Sequence, residues 1–133
     1  VKASALQKLI HFEVHADKAD RLVLADADKA VWVLVNLLSN AIKHSPAQGI
    51  ITIASSAQEG WEVLTVADQG PGIPQEEQDR IFQRFAKGAT ASQGTGLGLS
   101  IAREFMQAMG GSITYERATS AGATFSLRFR SVQ

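Results

Sequence analysis

Two asparagines, Asn36 and Asn40, and a lysine, Lys43, stand at helical spacing in and just after the apolar run from Val31 to Ile42. At about 100° per residue the three fall within about 60° of one another, so on a helix they form one polar stripe. Val31, Leu34, Leu38 and Ile42 then lie on other, apolar faces. An amide inside such a run must be hydrogen-bonded or coordinate something. Its carbonyl oxygen is a hard donor suited to magnesium, and a lysine one turn on supplies charge for phosphate. The same spacing also suits two core asparagines satisfied within the fold beside a solvated lysine.

A second motif follows a strand pattern from Val63 to Ala67, which delivers Asp68 into Gln69-Gly70-Pro71-Gly72-Ile73-Pro74. A carboxylate at a strand end can accept a hydrogen bond from an exocyclic amine, which would read adenine rather than guanine. Gly70 and Gly72 allow a tight turn and close approach to a flat ring, on which Ile73 can pack. An ordinary Asp-Gly turn stiffened by proline has the same composition. The third motif, Gly94-Thr95-Gly96-Leu97-Gly98-Leu99, opens a helical pattern, where free amides and small residues favour phosphate. It is not a P-loop, which needs Lys and then Ser or Thr after its last glycine, whereas Gly98 is followed by Leu99 and Ser100. Nor is it the dinucleotide fingerprint, which wants a glycine at Leu99 and a strand directly before.

Those motifs need a scaffold, and 133 residues with 45% apolar content suffice for one compact domain. Lys plus Arg equals Asp plus Glu at 13 each, so the overall charge favours neither nucleic acid nor an anionic membrane as partner. The absence of cysteine excludes disulfides, thiolate metal sites and a cysteine nucleophile. No stretch reaches the length of a membrane span, and no secretory signal pattern opens the chain. The start at Val1 rather than Met reads as a piece of a longer protein.

The elements alternate in type. Residues 10 to 16 alternate apolar and polar, as in a half-buried strand. Asp26 and Asp28 precede a helix expected from about 28 to 44, which ends at Ser45-Pro46 because proline disfavours helical geometry in the residue before it. Residues 49 to 57 and 61 to 67 read as a hairpin turning at Glu59-Gly60. Residues 69 to 95 are rich in glycine and proline, with a short helical piece near 75 to 85, and read as a functional loop or lid, of which residues 75 to 95 are expected to be poorly ordered without nucleotide. A second long helix is expected from 97 to 109, closed by Gly110-Gly111, and then strands over 112 to 117 and 123 to 130. Trp32, Trp61 and the remaining aromatics read as core.

In this order and at these separations, the motifs resemble the catalytic, ATP-binding domain of bacterial two-component sensor histidine kinases. Residues 36 to 44, Asn-Leu-Leu-Ser-Asn-Ala-Ile-Lys-His, look like that family's asparagine box, and residues 68 to 74 like its first glycine box. Residues 81 to 85, Ile-Phe-Gln-Arg-Phe, resemble its phenylalanine box, and Gly94 to Leu99 its second glycine box. The likeness runs from about Leu22 to Phe129. It implies an α+β fold of the GHKL or Bergerat type, shared with gyrase and MutL. That fold is a two-layer α/β sandwich, a mixed five-stranded sheet with three helices on one face and a long ATP lid.

Carried over position by position, the resemblance implies that Asn40 ligates magnesium, with Asn36 nearby at the metal or phosphates, and that Lys43 contacts phosphate. Asp68 would bind the adenine amino group, with Gly70, Gly72, Ile73 and His44 shaping or packing that pocket. Gly94, Thr95, Gly96, Leu97, Gly98 and Leu99 would cover the phosphates, the glycines also serving as hinges. Arg84 or Lys87 would reach the γ-phosphate, and Phe82 and Phe85 would anchor the lid in the core.

The ATPases of this fold carry a glutamate in the place of Asn36 as general base on water, and an amide cannot accept that proton at neutral pH. The implied reaction is therefore transfer of the γ-phosphoryl group of Mg-ATP to a histidine, with the domain supplying position and charge neutralisation. Family acceptors are a His followed by an acidic residue, with a proline further on, on a helical hairpin, and none of His11, His15 and His44 fits. The implied partners are a phosphoacceptor histidine domain of the same or a partner subunit and a downstream response regulator. The resemblance also implies a homodimeric parent anchored in the bacterial inner membrane, with this part cytoplasmic and monomeric when isolated. A serine or threonine kinase of the same fold and a regulatory nucleotide-binding module share the motifs. The long lid and the Gly94 motif favour the histidine-kinase pattern.

Overall fold

The structure, a computed structural model, describes residues 9–15, 23–78, 80–83, 98–117 and 122–132. Its elements in chain order are β1 (His11–His15), β2 (Val23–Leu24), α1 (Ala27–His44), β3 (Ile50–Gln58), β4 (Trp61–Asp68), α2 (Gln75–Gln78), α3 (Gly98–Ala108), β5 (Ser112–Arg117) and β6 (Ala123–Ser131). The elements expected from the sequence are present, with ends displaced by a residue or two where they lie in the described residues. Among the described residues of the helical piece expected near 75 to 85, residues 75 to 78 are helical and residues 80 to 83 form a turn. Of the lid expected over 69 to 95, residues 79 and 84 to 95 lie outside the described residues.

One mixed sheet organises the chain. β1 runs parallel to β3, while β3–β4, β4–β6, β5–β6 and β2–β6 are antiparallel. Arg130 pairs with Trp61 on one side and Leu24 on the other, so β2 continues the row of β5 along the same edge of β6. The sheet is thus five strands wide. α1 lies over β4, α3 lies over β5 and β6, and the two helices pack on each other.

Local chemistry sets the helix ends. Asp26 caps α1, its Oδ1 accepting from the N–H groups of Asp28 at 3.0 Å and Lys29 at 3.2 Å. These bonds, the Lys29 one foremost, together with the Lys29 charge hold the Asp26 carboxyl below its ordinary value. At the other end Ser45 turns extended before Pro46. α3 closes in a Schellman motif: Gly110 takes φ +76° and donates to Gln107 O, and Gly111 N–H donates to Met106 O at 2.8 Å. The core is built from Val33, Leu37 and Ala41 of α1, Ala102 and Met106 of α3, and Ile51, Val66, Phe125 and Leu127 of the sheet. β6 places Ala123, Phe125, Leu127 and Phe129 inward, as its period-two pattern predicts. No helix among the described residues is long and apolar enough to cross a membrane.

Three burial expectations are corrected. β1 is a strand but not half-buried: all five residues are exposed, Val14 at 66%, because the strand lies at the sheet edge beyond the two helices. Val31 is 60% exposed although its neighbours on the expected apolar faces are packed, since the arc of α1 around Val31 and Val35 turns away from both the sheet and α3. Trp61 is not core. It lies beside Arg128 and Arg130 of β6, whose guanidinium groups stand 5.0 and 4.7 Å from its ring centre.

Candidate functional site

The second half of α1 is the hub on which the separate motifs meet. Asn36 and Asn40 are half-buried there, Lys43 is exposed and His44 is half-buried. The Asn36 side chain reaches the first residue of α3, where its Oδ1 occupies the place that a β-carbon on Gly98 would need. The polar stripe therefore faces the start of α3, whose first amides have no partner within the helix. Leu99, the next residue, is half-buried and packs against the core.

One turn beyond Asn40, α1 meets the loop after β4. Gly70 is buried, and a β-carbon on it would collide with the backbone carbonyl of His44. Its N–H donates to Asp68 Oδ1 at 2.8 Å, which fixes the carboxylate at the strand end. Burial pushes the Asp68 carboxyl up from its ordinary value, while the Gly70 N–H, the nearby His44 and the Ala123 N–H pull it back. Gly72 is buried with φ +78°, a backbone conformation that favours glycine. Ile73 is 8% exposed and joins the core cluster.

Several supporting contacts have no counterpart in the sequence reading. Ile73 N–H donates to the Tyr115 hydroxyl at 2.6 Å, and Ile73 O accepts from Gln78 Nε2 at 2.9 Å. Gln69 Oε1 accepts from the Ile50 N–H at 2.9 Å, tying the loop to the start of β3. Gly122, at φ +112°, lies against the Asp68 carbonyl where any side chain would intrude. A glycine before an apolar strand is the only sequence trace of that contact. The bonds of Ile73 to Tyr115 and of Gln69 to Ile50 link residues 42 and 19 apart in the chain.

The structure thus brings Asn36 to Gly98 and His44 to Gly70, with Asp68 and Ile73 on the same loop. Phe82 is half-buried against the core, edge-on to Phe125 at 6.3 Å between ring centres. Arg84, Phe85, Lys87, Gly94, Thr95, Gly96 and Leu97 lie outside the described residues. No group of three or more His, Cys, Asp or Glu able to hold a metal occurs among the described residues. The amide oxygens of Asn36 and Asn40 are neutral, hard donors. That set suits a magnesium ion that arrives with phosphate oxygens and keeps several waters, rather than one caged by protein carboxylates.

Known proteins with this pattern were found by sequence and by structure. The family described as histidine kinase-, DNA gyrase B-, and HSP90-like ATPase matches residues 25–133. The sensor histidine kinase TmoS of Ectopseudomonas mendocina is 43% identical over 108 residues, covering 77% of this chain and 11% of its own length. Full-length ShkA, solved in complex with AMPPNP, superposes with a TM-score of 0.84 at 29% identity over 98% of this chain and 28% of that one. Histidine kinase ThkA, solved in complex with the response regulator protein TrrA, superposes at 0.79 with 30% identity over 98% of this chain and 37% of that one. The chain therefore spans a minor part of each of these proteins. It belongs to the histidine kinase-, gyrase B- and HSP90-like ATPase family, as a catalytic, ATP-binding domain of sensor histidine kinase type.

Proposed function

We propose that the domain binds Mg-ATP between α1, the loop after β4 and the start of α3, and transfers the γ-phosphoryl group to a histidine on a separate phosphoacceptor domain. The observation that carries this reading is the pair of contacts made by α1: Asn36 with Gly98, and His44 with Gly70. On this reading the phosphates lie at the first contact and the adenine at the second, along one helix. Asp68 accepts from the adenine amino group, and Ile73 with Gly70 and Gly72 shapes the surface under the ring. Asn40, with Asn36 beside it, holds the magnesium, and Lys43 contacts phosphate. Arg84 or Lys87 and the segment from Gly94 to Leu99 complete the cover. Magnesium bound with the nucleotide supplies neutralisation of charge developing on the phosphate oxygens.

In the transfer, a neutral imidazole nitrogen attacks the γ-phosphorus in line, a P–N bond forms, the bond to the β,γ-bridging oxygen breaks and ADP leaves. Asn36 offers no base to activate water, so hydrolysis is slow relative to transfer. The AMPPNP bound by ShkA supports the choice of an adenine nucleotide. The complex of ThkA with TrrA supports a response regulator as the downstream partner of the parent protein. That parent is proposed to be a membrane-anchored homodimer with this domain on the cytoplasmic side.

The test has two parts. Calorimetry with a non-hydrolysable ATP analogue should show magnesium-dependent binding, and its absence would remove the nucleotide reading. Mixing the domain with histidine-hairpin domains and γ-labelled ATP should give an acid-labile product. An acid-stable product would instead identify a serine or threonine kinase.

A further inference from the structure

Ile73 is held by both of its backbone polar groups, and the residues before and after it explain why it needs to be. Gly72, at φ +78°, is free to swing the loop, while Pro74 has no N–H with which to anchor it. The Ile73 N–H donates to Tyr115 Oη at 2.6 Å and its carbonyl accepts from Gln78 Nε2 at 2.9 Å. The Tyr115 hydroxyl is itself placed by rigid neighbours. Its ring leans on Phe125 at 5.0 Å and 57°, and Phe125 meets Phe82 edge-on at 6.3 Å and 88°. Arg103 of α3 lies 5.9 Å from the centre of the Phe82 ring. Aromatic side chains packed in this way have little rotamer freedom, so the hydroxyl is a fixed point on the sheet to which the loop is tied.

We propose that Tyr115 is a positioning residue for adenine recognition: its hydroxyl, opposed by the Gln78 carboxamide, clamps Ile73 and so sets the height of the loop beneath the adenine ring relative to Asp68. The inference rests on the nucleotide reading above and adds to it a residue of β5 that touches no ligand. Through Phe125 and Phe82 the clamp also joins the adenine loop to the turn over residues 80 to 83.

Tyr115→Phe keeps the ring and removes the hydroxyl that accepts from the Ile73 N–H. ATP affinity should fall about 3- to 10-fold, the net worth of one hydrogen bond, while affinity for magnesium tripolyphosphate, which has no base, stays unchanged. In transfer assays with a separate histidine domain, KM for ATP should rise and kcat should hold. The amide proton of Ile73 should move in the NMR spectrum and exchange faster. Gln78→Leu, which frees the carbonyl of the same residue, should give the same selective loss. Equal losses for ATP and tripolyphosphate would mean a merely structural role and overturn the inference, as would an unchanged Ile73 amide with unchanged ATP affinity. Wild-type protein that binds no ATP would overturn the nucleotide reading and this inference together, whereas wild-type binding matched by Tyr115→Phe overturns the clamp alone.

Discussion

Gly70 lies directly against the backbone carbonyl of His44, so the end of α1 and the loop after β4 form one rigid corner. Both groups at this contact are main chain, and neither can rotate aside. A β-carbon on Gly70 would meet the His44 carbonyl and also Asp68 Oδ1 at 3.1 Å.

Gly70→Ala should therefore push the loop off α1. We expect a loss of about 1–3 kcal/mol in stability, typical of crowding in a packed site, read as a lower midpoint in urea. Adenine nucleotide affinity should fall with it, because the displaced loop carries Asp68. A variant with wild-type midpoint and affinity would show that the corner yields freely.

Gly98→Ala tests the other end of the helix in a different way. Here the added carbon meets the Asn36 Oδ1, the tip of a side chain that can turn away. Alanine also has the better helix propensity, by at most about 1 kcal/mol, so the fold should tolerate the change. Displacing the Asn36 amide should nonetheless weaken magnesium-dependent nucleotide binding, measured by calorimetry with and without the metal. Stability lost with binding intact would place Asn36 outside the site.

The contrast between these two glycines shows what the sequence carries and what it does not. The Asn36, Asn40 and Lys43 stripe was legible because helical spacing alone fixes which residues share a face, and Asn36 of that stripe meets Gly98. The ends of α1 and α3 were legible because Pro46 and Gly110 act on their immediate neighbours. The bond from Ile73 to Tyr115 was not, since the partners are 42 residues apart and a tyrosine on an inward strand position reads as core with or without a partner. The exposure of β1 was hidden for a related reason. Alternation tells that Phe12 and Val14 share a face, but only the pairing of β1 with β3 puts that face at the sheet edge, beyond α1 and α3. Trp61 likewise looked buried until Arg128 and Arg130, remote in sequence, came to lie over its ring.

Asn40→Ala should separate metal from nucleotide. Wild-type protein should bind an ATP analogue more tightly with magnesium than without, and the variant should lose most of that increment. The expected loss is about tenfold, or about 1.4 kcal/mol, with metal-free binding little changed. Equal loss in both conditions would assign Asn40 to the nucleotide rather than to the ion.

Asp68→Asn should divide stability from binding. One oxygen of Asp68 is engaged by the Gly70 N–H, and the Ala123 N–H also bears on the carboxylate. Asparagine has only one acceptor oxygen, which the Gly70 N–H claims, so an NH2 group turns toward the place of the second. Facing the adenine amino group, it is donor against donor, and ATP affinity should fall by about 1–3 kcal/mol. The free domain should respond in the opposite sense. Because burial raises the folded pKa of Asp68, the folded state binds its proton more tightly than the unfolded chain does. That contribution to stability is present below the unfolded pKa and is lost as pH rises through the folded one, so at neutral pH the ionised carboxylate destabilises the empty site. Asp68→Asn should accordingly raise Tm at neutral pH and show no gain in acid. The same titration governs binding: wild-type ATP affinity should fall as pH drops through the raised Asp68 pKa, and the variant should lack that step. A wild-type binding profile without it would remove the Asp68 carboxylate from the contact with adenine.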